Sequence, residues 1–119
     1  MLSTVLIVLT LGHADGPHLA VTPADDAAAC AAKAGAVTAV LEQSGYPVAA
    51  ARCVETDQRF TPYRHGAGAP APVNAFRVTL PAAGGAKAEP LAALSDCTAA
   101  PDADPAVFCA LSAQELLAD

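Results

Sequence analysis

Tryptophan is absent from this chain, methionine occurs once, and Lys and Arg together number six in 119 residues. Each shortage removes a class of function. Without Trp, one common platform for stacking sugar rings is missing. The six cations are Lys33, Arg52, Arg59, Arg64, Arg77 and Lys87. They are too dispersed to form the cluster that displaces counterions from a phosphate backbone. Nucleic acid and anionic membrane surfaces are therefore poor partners, and the formal net charge of −6 serves solubility.

The usual catalytic signatures are missing too. The sequence contains no G-x-S-x-G, no H-E-x-x-H and no phosphate loop; residues 66–70 (GAGAP) lack the strand-turn-helix context a phosphate cradle needs. The nearest two cysteines, Cys97 and Cys109, are too far apart for the close ligand pairs of a zinc site or for a C-x-x-C redox centre. Asp102 and Asp104 lack the remaining oxygen ligands of a calcium loop. His13, Asp15 and His18 are metal-binding residue types, but they sit in a Gly-Pro segment, HADGPH, that reads as a polar loop. No metal, cofactor or catalytic residue is assigned on this basis.

Hydrophobic residues make up 54% of the chain, but alanine supplies much of that fraction. An Ala side chain yields only part of the roughly 1.5–3 kcal/mol gained by burying Leu or Val. A thin core of this kind calls for staples, and there are four cysteines, Cys30, Cys53, Cys97 and Cys109. Of the three possible pairings, Cys30–Cys53 with Cys97–Cys109 is the one expected. Cys30 shares a helix face with Ala34, Val37 and Leu41, and the next strand must cover that face.

Residues 2–11 (LSTVLIVLTL) admit two fates. About ten apolar residues are too few to span a bilayer but suit the hydrophobic region of a secretory signal. Small residues suitable for cleavage end at Ala14 and Ala24. No basic residue precedes the run, because the first is Lys33. Thr4, Val5, Ile7, Val8 and Thr10 are β-branched, so the run also reads as a buried strand of a cytoplasmic β-α-β unit. The favoured organisation is a signal peptide over residues 1–14 and a single domain over 22–119. The mature chain would then have no membrane span and a periplasmic or secreted location.

Thr22, Pro23, Asp25 and Asp26 mark a helix start and Gly45 a stop, predicting a helix over residues 23–44. Strands are expected over residues 48–57 and 74–80, with an edge partner over 86–94 that contains Pro90. A helical turn is expected at Asp104-Pro105, and the capping pattern Ser112-Ala113-Gln114-Glu115 predicts a last short helix. The fold class expected is α+β, one long N-terminal helix packed on a small, mostly antiparallel, disulfide-stapled sheet. Residues 59–65 concentrate aromatic and cationic side chains, so Arg59, Phe60, Tyr63, Arg64 and His65 are the candidate binding surface. The functional expectation is an exported, non-enzymatic binding or accessory protein with an unidentified protein or small-molecule partner. The alternative is an intracellular α/β domain with reduced cysteines, in which Cys53 and His65 support thiol chemistry or ligand binding.

Overall fold

The structure, a computed structural model, describes residues 2–63 and 71–117. Strands dominate it. In chain order they are β1 (Ser3–Thr10), β2 (His18–Pro23), β3 (Val48–Thr56), β4 (Asn74–Leu80), β5 (Lys87–Leu91) and β6 (Ala106–Ser112). One α-helix, α1 (Ala27–Gln43), lies between β2 and β3, and a 3-10 turn (Leu94–Asp96) precedes β6. All six strands join one sheet in the order β3-β1-β2-β6-β4-β5. The expected fold class is thereby corrected: a 17-residue helix sits on a curled, six-stranded, mostly strand-built domain rather than a long helix on a small sheet.

The difference arises at two segments. Residues 18–23 pair antiparallel with β1, from Thr10↔His18 to Val5↔Pro23, so Thr22 and Pro23 are strand residues. The helix begins later, where Asp26 accepts a hydrogen bond from the Ala29 amide at 2.8 Å as N-cap. At the other end, residues 106–112 form β6, paired antiparallel with β4 along its whole length. Among the described residues no helix follows Ser112.

The sheet consists of two three-stranded halves, β3-β1-β2 and β6-β4-β5, that meet at a short parallel seam. That seam has a single ladder pair, His18↔Leu111. Side chains extend it. The Ser112 hydroxyl donates to the Leu19 carbonyl at 2.8 Å. The buried Gln114 amide then imitates a strand, accepting from the Val21 amide and donating to the Val21 carbonyl, both at 2.8 Å. Its nitrogen also donates to the Thr61 carbonyl at 2.7 Å.

The outer edges, β3 and β5, are brought together in the same way. Just beyond β3, Gln58 accepts from the Ala88 amide at 3.1 Å and donates to the Ala88 carbonyl at 2.7 Å. Arg52 donates to the carbonyls of Pro81 and Gly85 in the β4–β5 turn, at 2.6 and 3.3 Å. The sheet thus curls until its ends meet through side chains, which shields edges that would otherwise invite other strands.

Inside the curl lies the main core, with Ile7, Leu9, Val21, Val54, Phe76 and Val78 among its members. On the outer face Leu6 and Val8 pack with Cys30 beneath α1. Because β1 is covered on both faces, Val5 to Leu9 are all buried, which explains the unbroken apolar run. The faces of β3 follow from an irregularity in its pairing with β1. The register slips between Leu9 and Thr10 of β1, so that Thr10 faces Val48, and Val48 joins the helix side. Both disulfides have the expected pairing, Cys30–Cys53 from α1 to β3 and Cys97–Cys109 across the C-terminal loop.

Candidate functional site

The helix covers only part of the outer sheet face. It packs on β1 and β3, and the neighbouring face of β2 and β6 forms the floor of an open cleft of about 730 Å³. That size falls within the range of small-molecule sites. Its walls are mainly apolar: Val8 from β1, Ala20 from β2, Leu111 from β6, and Ala36, Val37 and Val40 from α1. Val40 is 60% exposed although it stands over this hollow. The floor follows from strand register. Val8 and Ala20 are directly opposed, as are Leu6 and Thr22, and Thr10 and His18, so alternate residues of both strands face the cleft.

One end of the cleft is aromatic. His13 stacks on His18 with ring centroids 3.6 Å apart and on Tyr46 at 4.6 Å. All three rings line the cleft, together with Tyr63. Backbone contacts bring the rings together. The Leu11 amide donates to the Pro47 carbonyl at 2.8 Å. Gly12, at φ +88°, passes so close to Gly45 and Pro47 that a Cβ would lie 3.4 Å from each. Asp15 accepts from His18 Nε2 at 2.6 Å, and Thr10 Oγ1 shares a hydrogen bond with His13 Nε2 at 2.9 Å. Burial, reinforced by the neighbouring His18, holds His13 below the usual histidine range, with Asp15 opposing in part. The hydrogen bond to His18 lowers the Asp15 carboxyl.

The opposite end is polar. Thr22 Oγ1 is buried on the cleft wall with no hydrogen-bond partner among the described residues. Beside it, Lys33 Nζ donates to the Pro23 carbonyl at 2.9 Å. Lys33 is the one Lys or Arg in the described lining, and no Asp or Glu lines the cleft there.

The residues singled out from sequence are distributed differently. Phe60 turns into the main core, tilted against Phe76 at 5.9 Å. Arg59 is exposed on a short bridge that pairs residues 59–61 with 115–117. Tyr63 lines the cleft. Arg64 and His65 lie outside the described residues. His13, Asp15 and His18 do converge, but the described residues contain no cluster of His, Cys, Asp or Glu suited to a metal ion. Thr22, Lys33, Val40, Tyr46 and Leu111 were not legible as site residues, because the cleft assembles them from four separate segments. The one local sign was the period-2 alternation of His18, Ala20 and Thr22 against Leu19 and Val21.

Comparison with protein-family profiles, with curated proteins and with solved structures finds no match. Among the described residues no helix is long and apolar enough to cross a membrane.

Proposed function

We propose that the protein is a non-enzymatic binding protein that takes a small, largely apolar molecule into the cleft between α1 and strands β1, β2 and β6. The observation that supports this is the cleft itself. An apolar wall from three strands and a helix is left open to solvent, with Val40 exposed over it. A chain so poor in large apolar residues gains stability by covering them, so leaving these uncovered carries a cost that a ligand offsets.

Its polar groups suit recognition better than turnover. A hydroxyl nucleophile needs a base held by a second group. The carboxylate that could orient such a base, Asp15, is engaged with His18 rather than with His13, the partner of Thr10. Cys53, on which a thiol chemistry would depend, is bonded to Cys30. We place the protein in an oxidising compartment, periplasmic or extracellular, because two disulfides in so small a domain persist best there.

Titration with the neutral apolar dye Nile red tests the binding reading. Saturable fluorescence enhancement is expected from the wild-type protein. Ala36→Trp, which fills the cleft from an exposed helix position, should abolish it with little change in Tm. Undiminished binding by Ala36→Trp would remove the cleft from consideration.

A further inference from the structure

Resting on the cleft as a binding site, we infer that its ligand is an amphiphilic monoanion, a carboxylate carrying an extended apolar tail. Its head would lie at Thr22 and Lys33 and its tail would point toward the His13–Tyr46 stack. Two independent observations define the head site. The Thr22 hydroxyl is buried on the wall without a hydrogen-bond partner, and buried hydroxyls are rarely left so. The Lys33 ammonium is fixed one residue further along β2, at the Pro23 carbonyl. An ammonium has three donors, and this contact accounts for one.

Charge distribution makes the placement selective. The chain carries twelve Asp and Glu against six Lys and Arg, yet the described cleft lining holds one cation and no carboxylate. A single positive charge with one hydroxyl matches a singly charged head and leaves a dianionic phosphate undercompensated. The shape agrees. From Thr22 to His18 the floor runs four residues along β2, about 13 Å at strand rise. Between the two ends it is apolar, with Ala20 opposite Val8 on β1 and Ala113 lining the same floor.

Decanoate and decanol, which share a chain and differ in the head, provide the test. Both are titrated by calorimetry at neutral pH, below their aggregation concentrations. An apolar cleft without a head site prefers the alcohol, because desolvating a carboxylate is costly. The inference predicts the reverse, with decanoate bound roughly tenfold more tightly, as one charge-assisted hydrogen bond suggests. Lys33→Met, which keeps the apolar stem, should lose that preference while retaining decanol binding, and Thr22→Val should reduce it. Decanol binding as tightly as decanoate to the wild type would overturn the inference and leave the cleft reading standing. An unchanged preference in Lys33→Met would overturn it as well. Failure of both ligands to bind would sink the cleft reading together with it.

Discussion

At the scale of single residues, the site carries its own marks of compromise. Thr22 faces Leu6 across the β1–β2 ladder and keeps a hydroxyl that no described group satisfies. Val has nearly the same shape and no polar atom to desolvate. Thr22→Val should therefore raise the stability of the ligand-free protein by about 1–3 kcal/mol, the cost of an unsatisfied buried hydroxyl, as read by urea unfolding. Destabilisation would show that the hydroxyl has a partner after all. His13 gives a second residue-scale prediction. Its folded pKa lies below the usual value, chiefly through burial and then through the neighbouring His18. The unfolded chain therefore binds the proton more readily. The stability associated with a neutral His13 is present above about pH 6.5, the ordinary histidine value, and is lost as pH falls from there through the folded value. NMR titration of the wild type should show the His13 ring changing charge below that value. Replacement by Phe, which keeps an aromatic ring against Tyr46, should flatten the acid limb of a Tm-against-pH curve below about pH 6.5.

At the scale of elements, β1 shows why one stretch of sequence supported two readings. Continuous burial gives the segment spanning Val5 to Leu9 the same composition as a secretory hydrophobic region. Periodicity cannot separate the two, because a strand covered on both faces shows no alternation. In the folded chain β1 hydrogen-bonds to both β2 and β3 and supplies both cores. We predict that the folded protein retains these residues, so its placement in an oxidising compartment rests on the two disulfides and not on cleavage of residues 1–14. A chain starting at residue 15 should remain unfolded by circular dichroism, and intact mass of purified folded protein should include residues 2–14. A folded protein beginning at Asp15 would contradict this. Legibility elsewhere followed the same logic. Asn74–Leu80 alternates cleanly and was legible to the residue. The Cys30 helix face was legible because α1 packs by local spacing. The start of α1 was not, since Thr22-Pro23 and Asp26 both resemble caps and only pairing with β1 decides between them. The last strand was hidden by the local pattern from Ser112 to Glu115. Its Gln114 answers to Val21, 93 positions away, a partner that no local pattern can reveal.

At the scale of the whole molecule, the fold is held by two disulfides within its halves and by side chains and short backbone bridges between them. Cys30–Cys53 lies within the β3-β1-β2 half with its helix, and Cys97–Cys109 lies within the half containing β6. Neither crosses the parallel seam. With one ladder pair there, Gln114 carries much of the connection, and it does so at full burial. Gln114→Leu preserves approximate volume but leaves the Val21 amide and the carbonyls of Val21 and Thr61 without their amide partner. Each buried polar group left unsatisfied costs about 1–3 kcal/mol, so a total loss of about 3 kcal/mol or more is expected in denaturant unfolding. Where that loss is felt distinguishes this account from a general packing defect. Hydrogen exchange should accelerate first at Leu19 and Val21 beside the seam, while the β4–β6 ladder from Phe76↔Ala110 to Val78↔Phe108 stays protected. Uniform acceleration over all six strands would mean that the halves unfold as one unit and that the seam is not the weaker joint. The same seam floors the cleft, since Ala20 and Thr22 lie on one side of it and Leu111 on the other. Gln114→Leu should therefore also weaken ligand binding, although its side chain meets β2 and Thr61 rather than the ligand.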